Sequence, residues 1–355
     1  MLDYIIVGQG IAGTLVSHYL LKANKNIVVV DNNFHQSSSK LAAGLVNPIT
    51  GRRFVKSWRI DQLIPFAQSA YQELEQELGI KIMLQKNVTW ILSSPKMEND
   101  WMQRSSELEL APYIVLKEER LQNTEAFQNA RSVIEFKQAG QVQLLGLMKA
   151  YRQKLQNQDA YLQENFDYSQ LQIDQDGVKY KHLKAKRIIF CEGYQAMENP
   201  FFNYLPFWPA KGEVILVRIP NYPHQNKLIK HDVFIIHLYD DIYWVGSSYI
   251  RKYETTEPTD IEQQQLAKRL ASGLNLPFEI VDHQAAVRPT VRDRRPFLGQ
   301  HPIHQSMYIF NGLGAKGSYL APFFANYFVN YLEQGQPLDK EVDIQRNLNF
   351  FNQNK

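Results

Sequence analysis

Gly8-Gln9-Gly10-Ile11-Ala12-Gly13 directly follows the apolar run Tyr4 to Val7, and Asp31 closes a second run, Ile27 to Val30, 18 residues after Gly13. Residues of these types at this spacing can hold a dinucleotide. Gly8 permits a tight turn, Gly10 lets backbone approach a pyrophosphate, and Gly13 lets the next helix pack close to the strand. That helix, marked by Leu15, Tyr19 and Leu20, offers phosphates its free N–H groups and the positive end of its dipole. Asp31 stands near the spacing expected of a ribose-binding acid. A bare GxGxxG says little. One set between strand and helix, then followed by strand and acid, is specific.

Three further constellations carry candidate chemistry. Ser37 to Pro48 joins hydroxyls to small residues and Gly44, so its backbone can come close to a flat or phosphorylated ligand, or it is simply a Ser-rich surface loop. Arg288 to Gly299 packs Arg288, Arg292, Arg294 and Arg295 into eight residues. A guanidinium can clamp a carboxylate bidentately, yet for the last three a solvated basic loop explains the pattern as well. Arg288 differs because it lies between Ala285-Ala286-Val287 and Pro289, where an unpaired charge is costly. Gly312, Gly314 and Gly317 precede the apolar start of a helix and form a second anion-accepting terminus, or a plain strand-to-helix turn. The nine histidines show no metal-ligand spacing, and Cys191 ends an apolar strand, which suits a core residue better than a nucleophile.

The elements that must position these groups follow from periodicity. Strands are expected at Tyr4 to Val7, Ile27 to Val30, Val88 to Leu92, Arg187 to Cys191 and Met307 to Phe310, with helices over Phe54 to Gly79, Leu144 to Leu155, Ile261 to Leu274 and Tyr319 to Leu332. Val214 to Val217, Val233 to Leu238 and Ile242 to Gly246 read as consecutive antiparallel strands. A strand-rich middle between nucleotide-type segments implies an α/β (α+β overall) fold with a discontinuous Rossmann-type domain and a second, antiparallel-sheet domain. The nucleotide domain is expected from 1–57, 136–205 and 285–355, and the second from 58–135 and 206–284.

Composition bounds the partners. At 355 residues, 44% hydrophobic and 21% charged, the chain is globular and long enough for two domains. A net charge of +3 leaves no excess to coat a nucleic acid. A single cysteine excludes an intrachain disulfide. No run approaches the length of a membrane-spanning helix, and the opening residues have no leader-like pattern, so a cytoplasmic protein is expected.

Taken together, five motifs in order resemble the D-amino-acid oxidase superfamily of FAD enzymes, in the manner of glycine and sarcosine oxidases. They are Gly8 to Gly13 with Asp31, Ser38-Ser39-Lys40-Leu41-Ala42-Ala43-Gly44-Leu45 with Pro48, Pro209-Ala210-Lys211-Gly212-Glu213, Val287-Arg288-Pro289 with Asp293, Pro296 and Gly299, and Gly312 to Gly317 with Ala321-Pro322. The last two are closer to the oxidase domain of the bifunctional tRNA wobble-uridine modification enzyme. The resemblance implies non-covalent FAD held by Gly8, Gly10, Ile11, Ala12 and Gly13, by Asp31 and Asn32, and by Ser38, Ser39, Lys40, Ala43, Gly44 and Leu45. Cys191, Glu192, Gly193 and Gly212 complete that set with Gly314, Ala315, Lys316, Gly317 and Ser318. It further implies oxidation of a C–N bond in a small amino acid or N-substituted glycine, with Arg288 on the substrate carboxylate and oxygen or another acceptor taking the electrons. A carboxymethylaminomethyl group on tRNA is the alternative substrate, and a non-catalytic flavin module the alternative role. In place of the tyrosine that opens a Tyr-x-x-Pro strand in the family, this chain has Phe234-Ile235-Ile236-His237. His237 or Tyr239 is therefore expected to replace the hydroxyl contact, and Thr50, Arg52 and Trp58 are candidates for the pocket wall.

Overall fold

The computed structural model describes residues 1–33, 37–51, 53–115 and 124–353. Two large sheets organise it. The first has eight strands, ordered Tyr161–Leu162, Ile27–Val30, Leu2–Val7, Leu183–Phe190, Gly177–Tyr180 and Leu171–Asp174, with Met307–Asn311 also paired to Leu183–Phe190 and Phe297–Gln300 antiparallel to Met307–Asn311. Its centre is parallel, with Tyr4 level with Ile27 and Arg187, and Val7 level with Val30 and Phe190. Both faces are covered. Tyr4, Ile6, Ile27 and Val29 enter one core while Ile5, Val7, Val28 and Val30 enter another. Uninterrupted apolar runs are what such strands require. The contributing segments come from the start, middle and end of the chain.

The second sheet has seven strands, ordered Glu279–Arg288, Ala210–Arg218, Ile242–Gly246, Phe234–Tyr239, Leu228–Lys230, Val88–Leu92 and Ser132–Phe136. One face packs Ile215, Val217, Ile235, Tyr243 and Val245 against Leu266 and Leu270 of the helix Asp260–Ala271. The other face looks toward the first sheet across a large cavity.

Several boundaries depart from the sequence reading. The helix expected from Phe54 begins only at Ile60, because Phe54 and Arg59 both adopt positive φ and Ile49–Thr50 pairs with Val55–Lys56. Ile242–Gly246 lies between Ala210–Arg218 and Phe234–Tyr239 rather than outside them, and Leu228–Lys230 adds a strand too short to register as a pattern. Glu279–Arg288, which carries Arg288, is also a strand, masked in the sequence by its polar first half. No helix among the described residues is long and apolar enough to cross a membrane.

Candidate functional site

The cavity holds about 1420 Å³, more than a drug-sized ligand needs. It opens at the carboxyl ends of the parallel strands, where Val7, Val30, Cys191 and Asn311 line it. Open α/β sheets bind their ligands there.

Local packing explains the opening glycines. A Cβ on Gly13 would overlap the Gly8 carbonyl, so only glycine lets the helix Ile11–Lys22 start this close to the strand. Gly10 at the N-cap supplies no side-chain oxygen. Ile11 donates its N–H to Ser39 Oγ (3.1 Å), which ties the Ser-rich segment to the turn. Asp31 is fixed from two sides, accepting the Gln9 N–H at 2.8 Å and the Asn33 N–H at 2.7 Å. Tyr161 adds its hydroxyl at 3.2 Å.

A second uncapped helix, Gly317–Gln334, meets the cavity at its N-terminus, and Ser318 donates to the Leu45 carbonyl (2.7 Å). Burial pulls the Lys316 amine below its ordinary range, with Arg294 and Arg295 pushing the same way. Positive potential is therefore gathered at this end. Gly10, Ile11 and Ala12, Asp31 and Asn32 after the second strand, the Ser38-to-Leu45 candidates and the Gly314-to-Ser318 loop all line the cavity. Gly13 packs behind it.

The floor is the second sheet. Glu279–Arg288 and Ala210–Arg218 pair with Ala210 opposite Arg288 and Gly212 opposite Ala286. Arg288 donates from Nη2 to Ser247 Oγ (2.6 Å) and to the Ser248 carbonyl (3.2 Å). Its Nη1 is buried without a partner, and no carboxylate pairs with it among the described residues. Burial pulls its pKa down to about 10, opposed by the Tyr249 ring 5.5 Å away, so it stays cationic at neutral pH. Gly212 makes the space, because a Cβ there would fall inside the guanidinium. Lys211 and Glu213 point to the opposite face, buried and paired at 2.8 Å, with His283 Nε2 2.9 Å from Glu213. The Pro-Ala-Lys-Gly-Glu element thus divides its work between two faces.

Other candidates fall elsewhere. His237 and Tyr239 do not line the cavity. Phe234 and Ile236 do, so strand alternation turns His237 away, toward Tyr243 and the Asp240 carbonyl (2.8 Å), and Tyr239 lies exposed beside the turn. Thr50 reaches the wall, whereas Trp58 is stacked on Phe324 and flanked by Arg59 and Arg295. Arg52 lies outside the described residues. Arg294 lines the cavity, Arg295 pairs with Glu341 (3.1 Å) and Arg292 leans on Trp208. Tyr249, beside Arg288, carries no sequence signal beyond its place after the small residues Gly246-Ser247-Ser248.

Glu192 lines the cavity, accepting hydrogen bonds from the Tyr168 hydroxyl and from Asn199 Nδ2 (2.8 Å). Burial pushes its carboxyl from 4.5 up to about 7, against those two donors. The folded protein then keeps a proton that the unfolded chain releases, so stability from this group is full below pH 4.5 and is lost as the pH rises through 7. Glu192→Gln is expected to remove that dependence. Relative to wild type it should gain up to about 3 kcal/mol between pH 5 and pH 8 in denaturant unfolding with FAD present. A pH-independent difference between the two proteins would refute the assignment.

Two glycine-shaped helix termini, a carboxylate held at the end of the second strand and a cavity of this size fit a bound dinucleotide. The family model for FAD-dependent oxidoreductases (DAO) matches residues 3–330. Glycine oxidase from Geobacillus kaustophilus superposes with a TM-score of 0.79 at 19% identity, covering 97% of each chain. Iminodiacetate oxidase from Chelativorans sp. BNC1 follows at 0.75 and 18%, covering 97% of this chain and 98% of that one. L-Proline dehydrogenase from P. horikoshii gives 0.75 and 14%, with 94% of both covered. At such identities these likenesses speak for the fold, while the match along nearly the whole length speaks for descent. The chain belongs to the DAO family of FAD-dependent oxidoreductases.

Proposed function

We propose that the protein oxidises the C–N bond of a small amino acid or N-substituted glycine, with FAD bound non-covalently. The observation that carries this reading is Arg288, a buried cation with one unpartnered nitrogen on the wall of the cofactor cavity. Such a group is costly unless an anion completes it. A substrate carboxylate does so, and the bidentate geometry of a guanidinium then fixes the neighbouring carbon.

FAD supplies the two-electron acceptor for the hydride leaving that carbon. The chain's own residues do the rest. Ser247 and Ser248 hold the guanidinium from behind, Gly212 gives it room, and Trp244, Phe234 and Ile236 keep the floor apolar. Lys316, Arg294 and the uncapped helix terminus favour negative charge at the far wall. Cys191 suits non-covalent binding, since burial holds its thiol far above its ordinary pKa and leaves no thiolate to bond the ring.

The test is anaerobic titration of the purified yellow protein with glycine, sarcosine, D-amino acids and L-proline. Loss of the visible flavin bands with one of them, and release of intact FAD into the supernatant on acid precipitation, is the expected result. A protein left oxidised by all of them would overturn the small-substrate reading in favour of a larger substrate, an RNA-borne amine among them, or a non-catalytic role.

A further inference from the structure

The cavity does not end at Arg288. Across the second sheet, Trp90 is level with Lys230, Lys230 with Phe234, Phe234 with Gly246, Gly246 with Val214 and Val214 with Gln284. Arg288 lies four residues beyond Gln284 with the same parity. Trp90, Lys230, Phe234, Val214 and Arg288 all line the one cavity. Five strand spacings separate the strand of Arg288 from that of Trp90, about 24 Å at roughly 4.8 Å each. Glycine fills a small part of that length.

We propose that this second arm selects a long substrate: an amino acid or N-substituted glycine with an apolar linker that ends in an oxygen acceptor, a carboxylate or carboxamide. This rests on the C–N oxidation reading above. The chemistry changes along the floor in the order such a molecule needs. Arg288 supplies a cation at one end. Val214, Phe234, Ile236 and Trp244 form an apolar middle, and the Trp244 Nε1–H is already donated to the Leu41 carbonyl (3.0 Å). At the far end Trp90 is 4% exposed, and its Nε1–H is buried without an acceptor. Indole can only donate. Lys230 lies beside it in register, its ammonium 4.9 Å from the centre of the Phe234 ring and donating one of its three hydrogens to the Asp232 carbonyl (2.9 Å). Two donors at one end and a guanidinium at the other define a ligand with acceptors at both ends.

Non-oxidisable ligands test the arm separately from the chemistry. The FAD-loaded protein would be titrated with acetate, succinate, octanoate, suberate and dodecanedioate, with binding read from the visible flavin spectrum. Suberate or dodecanedioate is expected to bind at least about tenfold tighter than succinate, and suberate about tenfold tighter than octanoate, which lacks the second carboxylate. Trp90→Phe, which keeps an aromatic ring but removes the donor, should erase the suberate-over-octanoate preference, and Lys230→Met should reduce it. Affinity that ignores the second carboxylate, or variants that leave the preference intact, would overturn the arm. Length-selective binding in a protein that is reduced neither by those small amino acids nor by a glycine N-substituted with a long carboxyalkyl chain would instead keep the arm and overturn C–N oxidation. Reduction by glycine or sarcosine with a flat diacid series would do the reverse.

Discussion

Arg288→Leu is expected to slow flavin reduction by carboxylate-bearing amines at least 10³-fold, equivalent to about 4 kcal/mol of transition-state stabilisation, while the protein remains yellow. Among the described residues, the guanidinium is a cation on the cavity floor with a buried nitrogen that lacks a partner. Leucine fills similar space with no charge, so the carboxylate would have to shed water against an apolar wall. The same change should leave thermal stability unchanged or raise it, because it removes a buried charge that no carboxylate compensates in the free protein. Lost turnover with retained stability is the signature of a group kept for its ligand. An amine without a carboxylate should lose little, since Arg288 has nothing to hold there. Arg288→Lys should recover only part of the rate, because one ammonium cannot bond Ser247, Ser248 and a carboxylate in the same plane. Stopped-flow reduction under anaerobic conditions reads all of these, and an unchanged rate in Arg288→Leu would remove the carboxylate clamp.

How much of this was legible in the sequence depends on where each signal is stored. The cofactor end is local: one strand, turn and helix carry Gly8, Gly10, Gly13 and Asp31 within 31 residues, and their spacing is itself the geometry. The burial of Arg288 was legible because its neighbours are apolar. The floor was not, because it is assembled from strands whose contacts depend on register. His237 shows the difficulty, since one position along the strand decides between cavity and far face, and Phe234 and Ile236 hold the cavity parity. Trp90 and Lys230 are 140 residues apart and meet only through a parallel pairing of two short strands. Nothing in either segment announces that pairing. The bulge in Phe234–Tyr239 and the positive φ of Phe54 and Arg59 shift boundaries in the same way, through long-range packing that overrides local propensity.

Gly212→Ala is the sharper test of how the site is built, because it leaves Arg288 in the chain and moves it. In the extended strand Ala210–Arg218, alanine costs the backbone nothing, and the pairing with Ala286 does not involve the added methyl group. The methyl group would nevertheless sit inside the guanidinium, which must leave Ser247 and Ser248 to make room. Loss of those two bonds and of the aligned Nη1 should weaken carboxylate binding about 100-fold, roughly 3 kcal/mol at the value of charge-assisted hydrogen bonds. FAD content and the unfolding midpoint should stay near those of wild type. The double variant Gly212→Ala with Arg288→Leu decides between displacement and a general disturbance of the floor. If Gly212 acts only by giving Arg288 its place, the double variant will reduce no more slowly than Arg288→Leu alone, a coupling that cancels the whole effect of the methyl group. Additive losses would mean that Gly212 serves the flavin ring or the substrate directly.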